Sequence, residues 1–427
     1  MLRNVFSLLL LGAVFSCSTP ALSPETPAAP AETPSSPSSS APSSPVIEDI
    51  TDDNLVFNAS VEEGSGERPT GWRYDNWGDN TASVRWARGD AAEGERYLSI
   101  DVSNHKTGDT KWIYAATRLE PDQWYEYQDS YRSDGRSRLL IFCNQPDGNR
   151  FFKNAWQTHA QPRWKVNKFR FYSGIYKDCE TSVMHVMDRN GFLHTDKHQL
   201  KKVAARPLER PLVSFTFDDI WKTAVDAAAP ELEQRNWKGS FYITREFTQG
   251  QDTPEYAKPA DIDRLLASGH EVGTHGDRHS PLSTLNRDAL EKDLKETYEY
   301  VQDLGATASG IAYPFGDFSA EVETEAKRYH DYARTSLTGL NDKALNPFRL
   351  KVVSVDNETK TAELLNWIDM AEKTRTWVIF LFHDLSDVPG SFQYTTSLSQ
   401  YKTLLEYVER KNLTVLPVNE ALKEAQR

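Results

Sequence analysis

Cysteine is scarce: three in 427 residues, at positions 17, 143 and 179. That number excludes a disulfide-framework fold, and the spacing matches no zinc ribbon. Positive charge is also short. Lys and Arg number 49 against 62 Asp and Glu, a formal net charge of −13. Nucleic acid and anionic membrane surfaces are bound through clustered cations, so the balance argues against both as partners. No apolar run after the first seventeen residues is long enough to span a bilayer. From residue 18 to about 50 large apolar side chains almost vanish. Nothing in the composition points to a protein partner. The length allows two or three domains and at least one large core.

What is there begins with an export signal. Arg3 precedes an apolar core from Phe6 to Phe15, which ends in Val14-Phe15-Ser16-Cys17. Residues 1–17 resemble a bacterial lipoprotein signal, which implies lipidation of Cys17 and a membrane anchor. An ordinary signal peptide with a chance cysteine is the alternative, and either one exports the protein. Ser18, by the same resemblance, leans toward the outer membrane of the bacterial envelope. Residues 18–50 are Ser, Pro, Ala, Thr and Glu, too poor in apolar surface to fold. Such a proline-dense spacer would reach roughly 100 Å at about 3.1 Å per residue.

Residues 51–205 carry short alternating runs such as Tyr97-Leu-Ser-Ile-Asp-Val and Arg138-Leu-Leu-Ile-Phe, broken by Gly, Asp, Asn and Pro. No long helical period is visible. The pattern predicts an all-β, jelly-roll-like sandwich. The opening Asn54-Leu-Val-Phe and Pro69-Thr-Gly-Trp72 loosely resembles carbohydrate-binding, galactose-binding-like modules. Seven of the eleven tryptophans lie here. Most are expected in the core. Trp77 and Trp156, in turn-like settings, are the ones expected at the surface, where a sugar face could stack on them. Cys143 and Cys179 would meet an oxidising compartment, as a disulfide or as two buried thiols.

Residues 206–427 change rhythm. Short apolar runs alternate with helical stretches, the first being Leu212-Val-Ser-Phe-Thr-Phe-Asp218-Asp219. Seven or eight βα units in this length imply an α/β fold, a parallel (β/α) barrel. Asp218 and Asp219 end the first strand, His275 and His279 follow the third, and His383 with Asp384 ends the seventh. A barrel gathers strand ends onto one face. Two histidines four apart plus a carboxylate make the ligand set of a catalytic zinc site with open positions. Taken singly, Asp219 could be a helix cap, His279 turn packing and His383 a core histidine.

Together these motifs resemble the polysaccharide deacetylases of carbohydrate esterase family four, the NodB-homology domain, over roughly Leu212 to Leu422. Thr216-Phe-Asp-Asp219 and Leu381-Phe-His383 match closely. His275-Gly-Asp-Arg-His279 has Gly276 where Ser or Thr is usual. Tyr313-Pro314-Phe315-Gly316 has Tyr313 where many members carry an arginine that pairs with the catalytic aspartate. Arg334 or Arg349 is left to supply that charge. The family's fourth motif has no clear counterpart, so the group orienting His383 is unassigned. The resemblance implies a distorted barrel and one divalent metal, zinc first, held by Asp219, His275 and His279. It makes Asp218 the general base, His383 the general acid and the Phe315 N–H an oxyanion donor. Leu381, Tyr313 and Pro314 would contact substrate. The implied reaction is hydrolysis of acetyl groups on a polysaccharide, N-acetylglucosamine polymers foremost. An O-acetyl esterase acting on a polymer such as xylan, and a catalytically inactive carbohydrate-binding protein at the cell surface, are the alternatives.

Overall fold

The computed structural model describes residues 53–250, 253–387 and 392–427. Residues 1–50, with the expected signal, Cys17 and the spacer, lie outside the described residues. The described residues all fall in one compact unit. No helix among the described residues is long and apolar enough to cross a membrane.

The first part is two antiparallel sheets sharing one core. Its main strands are β1 (Trp72–Trp77), β2 (Thr81–Arg88), β3 (Arg96–Ser103), β4 (Asp109–Tyr114), β5 (Trp124–Ser133), β6 (Ser137–Asn144), β7 (Arg150–Thr158), β8 (Gln161–Tyr172), β9 (Glu180–Met187) and β10 (Gly191–Val203). One sheet runs β7-β6-β9-β4-β1, the other β8-β5-β10-β3-β2. Period-2 alternation turns Leu98, Ile100 and Val102 of one sheet toward Leu139, Ile141 and Val183 of the other. Cys143 and Cys179 are disulfide-bonded across a separation of 36 residues. Trp72, Trp112 and Trp124 are buried, and Trp77 is 57% exposed. Trp156 corrects the expectation for it: it lies half-buried in β7, its ring 6.1 Å from Phe169 and with the Arg349 guanidinium 5.3 Å above it.

The second part is the closed parallel barrel. Its strands are β11 (Leu212–Phe217), β12 (Ser240–Ile243), β13 (Glu271–Thr274), β14 (Gly310–Ala312), β15 (Tyr332–Thr338), β16 (Leu350–Ser354) and β17 (Trp377–Phe382). β17 pairs with β11 and β11 with β12, so seven strands close the ring. An eighth, β18 (Thr414–Val415), adds to the start of β11 only. β11 is buried at all six positions, as its unbroken apolar run requires between two strands and a layer of helices. The outer helices include α1 (Pro259–Ala267), α2 (Arg287–Asp303), α3 (Ala320–Ala326), α4 (Thr361–Thr374), α5 (Leu398–Arg410) and α6 (Val418–Gln426). Asn286, Ser319 and Ser397 cap α2, α3 and α5 by accepting backbone N–H bonds from Ala289, Val322 and Gln400.

The two parts meet along β7, at Arg136 just before β6, and at Arg170 of β8, which pairs with Asp342 at 3.2 Å. Gln157 Nε2 donates to Phe318 O at 2.8 Å, Arg136 pairs with Asp317 at 2.9 Å, and Lys153 pairs with Glu363 at 2.6 Å.

Candidate active site

The C-terminal ends of β11, β13, β14, β15, β16 and β17 surround a cavity of about 250 Å³. Asp218 continues the line of β11, its N–H donating to Phe382 O at 3.0 Å. Asp219 and Ile220 then adopt φ of 64° and 60°. This left-handed pair, costly for residues with a Cβ, turns the chain so that two adjacent carboxylates point to different partners.

Asp219 Oδ1 lies 3.2 Å from His279 Nε2 and 3.4 Å from His275 Nε2. One ligand atom from each of these three residues falls within 4.8 Å of the others. His275 Nδ1 donates to Ala312 O at 2.7 Å, which orients the ring with Nε2 toward Asp219. Asp219 Oδ1 is buried and has no hydrogen-bond partner among the described residues. A buried anionic oxygen with two imidazole nitrogens beside it fits a divalent cation with positions left open. Burial alone would raise the Asp219 carboxyl. The contact and charge of His275, with His279 and His383 behind it, outweigh burial and hold the carboxyl far below the usual range. Burial and the neighbouring His275 push His279 down to about 4, the neutral form a metal ligand needs.

Asp218 is 3% exposed, and its Oδ2 takes a short hydrogen bond from Arg334 Nη2. Of the two arginines left open by the sequence, the structure brings Arg334 to the aspartate. Arg349 instead pairs with Glu323 at 2.7 Å. Arg334 is reached because β15 lies beside β14, with Ala312 opposite Arg334. It is 1% exposed and sits 5.3 Å over the Tyr242 ring. Asp218 Oδ1 has no hydrogen-bond partner among the described residues, and Asp218 lines the same cavity.

His383 follows β17 on the far side. Burial lowers its pKa, against the pull of Asp218 and Asp219. Its Nδ1 has no hydrogen-bond partner among the described residues. Two rings flank it, Tyr394 at 4.9 Å and Phe392 at 6.1 Å. Asp384 turns away, accepting from Thr223 Oγ1 at 2.7 Å and Thr395 Oγ1 at 2.9 Å.

Leu381 lines the cavity floor. Phe315 adopts φ 58° and exposes 62% of its surface, its ring 4.3 Å from His279. Tyr313 borders the cavity and is 1% exposed, with its ring stacked on Phe318 at 5.5 Å. Pro314 is buried, with its ring packed beneath Gly276. Both pack in the turn beneath the site. Sequence reasoning missed Tyr394, Phe392 and Ser336 of the lining. They lie in loops or mid-strand with no motif to mark them.

The fold and site define a parallel barrel whose strand ends gather Asp219, His275 and His279, with Asp218 and His383 lining the same cavity. Residues 205–332 match the family described as polysaccharide deacetylase, a stretch that contains Asp218, Asp219, His275, His279 and Phe315. Arg334 and His383 lie beyond it. The chain is 22% identical over 184 residues to the uncharacterized protein YlxY of Bacillus subtilis (strain 168), across 43% of this chain and 52% of that protein. It thus spans about half the length of that curated relative. Among solved structures, it resembles the Xyl-CE4 domain of a multidomain xylanase from the hindgut metagenome of Trinervitermes trinervoides, at 14% identity and a TM-score of 0.36. That likeness covers 51% of this chain and 91% of the other. It also resembles a family 4 carbohydrate esterase from Streptomyces lividans in complex with acetate, at 15% identity and a TM-score of 0.33, over 48% and 91% of the two chains. A further likeness is to BA3943, a CE4 family pseudoenzyme from Bacillus anthracis, at 15% identity and a TM-score of 0.38, over 52% and 70%.

Proposed function

We propose that this protein hydrolyses acetyl groups on a polysaccharide, with N-acetylglucosamine-type polymers as the substrate class. The observation that carries the reading is the convergence of Asp219, His275 and His279 beside an Arg334-held Asp218, with His383 lining the same cavity. A divalent cation, zinc first, held by Asp219, His275 and His279 would supply Lewis acidity toward the acetyl carbonyl and make water easier to deprotonate.

The protein's own groups carry the proton traffic. Asp218 accepts a proton from the water whose oxygen attacks the carbonyl carbon. Arg334 donates a charge-assisted hydrogen bond to that carboxylate and aims it. The N–H of Phe315 donates to the oxygen that gains charge. The carbon–nitrogen bond then breaks, and His383 gives its proton to the departing amine. Acetate and a free amine leave. Leu381 would face the acetyl methyl.

Acetate release from N-acetylglucosamine oligomers, peptidoglycan and acetylated xylan, read beside metal content, tests this. Amine formation with bound metal supports it. Acetate from xylan alone would move the reading to an ester. Full activity in metal-stripped protein would refute the metal site. The surrounding organisation belongs to the same proposal: signal at residues 1–17, spacer at 18–50, sandwich at 51–205 and hydrolase at 206–427, lipid-anchored in the envelope through Cys17. Cys17→Ala should release the protein from the membrane fraction, and unchanged fractionation would remove the anchor.

A further inference from the structure

Six large hydrophobic side chains are exposed among the described residues. Phe315 and Tyr394 rim the cavity above. Two others, Trp77 at 57% and Phe152 at 52%, rim a separate hollow of about 540 Å³ on the sandwich. Trp77 ends β1 and Phe152 lies on β7, the two outermost strands of the sheet β7-β6-β9-β4-β1. Four strand spacings separate them, roughly 19 Å across the sheet.

The face between them is built. Leu140, Met184 and Val186 form its apolar floor. Phe142 backs Phe152 at a ring distance of 5.0 Å, giving that ring a fixed platform. Register puts Lys111 opposite Asp75 and Arg138 opposite Val186 on the same face. Lys111 is 3% exposed and already faces Asp109 at 2.6 Å and Asp75 at 2.9 Å. Arg138 faces Asp188 at 2.7 Å. Each cation of the hollow thus has its carboxylate, so the face has no call for an anionic ligand. Asn154 lines the hollow, and its Oδ1 is buried without a hydrogen-bond partner among the described residues. The apolar floor runs on through Ile113 and Phe142 into a second hollow of about 410 Å³.

We infer that this sheet face binds a segment of neutral polysaccharide, laid across the strands from Trp77 to Phe152. The electron-rich faces of aromatic rings attract the C–H faces of pyranose rings. Exposed rings at both rims with polar groups between them suit a ligand that alternates apolar faces with hydroxyls. An unpartnered carbonyl oxygen wants a neutral donor, which a sugar hydroxyl supplies. A furrow extended over two hollows suits a chain rather than a single sugar. A protein partner fits less well, because docking would press apolar surface onto a floor that holds Lys111, Asp109 and Arg138. The site stands on the sandwich alone and does not depend on the hydrolase reading.

The test is affinity electrophoresis of the full chain in native gels containing glycol chitin or arabinoxylan. Wild type should be retarded by at least one polymer. Trp77→Ala and Phe152→Ala should each weaken retardation at least tenfold, and the double variant should abolish it. Melting temperatures should stay unchanged, because both side chains are exposed. Hydrolysis of an aryl acetate should also be unchanged in these variants, so failure of the barrel chemistry reads out separately. Wild type migrating as in a blank gel overturns the inference, and so does retardation that survives in the double variant. A variant that converts a dimer to a monomer in size-exclusion chromatography also overturns it, since the face would then be an interface between copies.

Discussion

Arg334 stands one strand away from where the motif Tyr313-Pro314-Phe315-Gly316 would place its charge. Tyr313 N donates to Arg334 O at 3.0 Å, so the two positions are neighbours across β14 and β15 although 21 residues separate them in sequence (334 minus 313). Arg334→Met should leave metal content unchanged and lower kcat by about 10²-fold, within the range that a general base supplies. Arg334→Lys should recover part of it, because one ammonium can face Asp218 Oδ2 but lacks the planar fork. Equal loss in both variants with the metal gone would mean that Arg334 only supports the fold. His383→Ala should also keep the metal. Its penalty should be large on an N-acetyl oligosaccharide and small on an aryl acetate, whose leaving group departs without a proton. Equal penalties would move the acid role to another group. The cluster of Asp219, His275 and His279 was legible because a four-residue histidine spacing and a strand-end carboxylate are local patterns. The partner of Asp218 was not, since it depends on which strand lies beside which. The orienting group for His383 is still not visible, because its Nδ1 has no hydrogen-bond partner among the described residues.

At the scale of elements, the barrel strands were legible because β11 and β17 are unbroken apolar runs, and the structure buries every residue of both. Three sandwich strands were not. β1 holds Asp75 and Asn76, residues that signal turns, and pays no penalty for them because it is an edge strand. β7 and β10 carry register shifts at Asn154/Trp156 and Asp196/Gln199, which break the period-2 pattern. The turn after β14 is the element closest to the chemistry. Gly316 has φ 63°, and a Cβ there would lie 2.0 Å from Ser336 Oγ and 2.8 Å from Ser336 N. Gly316→Ala should therefore shift the turn that aims the Phe315 N–H. The expected result is a loss of kcat of tenfold or more with metal content intact and the barrel still folded by circular dichroism. Unchanged kcat would free Phe315 from the oxyanion role. In the sandwich, the disulfide ties the end of β6 to the residue before β9. Closing a loop of 36 residues stabilises by on the order of 3–4 kcal/mol in the chain-entropy model. Denaturant unfolding with and without reductant should show a stability difference of that size, and coincident curves would show that the bond adds nothing.

For the molecule as a whole, the sequence separated a β-rich part from a barrel part but gave no sign that one braces the other. The contacts are between residues nearly two hundred positions apart, with no local signature. Arg136 and Gln157 of the sandwich hold Asp317 and Phe318, the two residues after the Phe315-Gly316 turn. His159 packs edge-on against Phe318 at 5.1 Å. Asp317 is 3% exposed and uses its other oxygen to accept from Ser283 N at 2.8 Å, on the segment just after His279. One buried carboxylate therefore links the sandwich, the turn with Phe315 and the loop that follows His279. Removing its cation would leave a buried charge half-satisfied, which costs more than the pair itself contributes. Arg136→Gln in the full chain should lower kcat several-fold and leave KM for a small aryl acetate within twofold, because the donor to the developing charge moves while the cavity floor does not. Gln157→Ala should do the same to a smaller degree, and the double variant should exceed either. Metal content separates causes: a fall would mean that the His279 loop moved, and constant metal with lower kcat would mean that the Phe315 turn moved. If both single variants keep wild-type kcat, the turn holds itself and the sandwich contributes to the polymer only through its own surface.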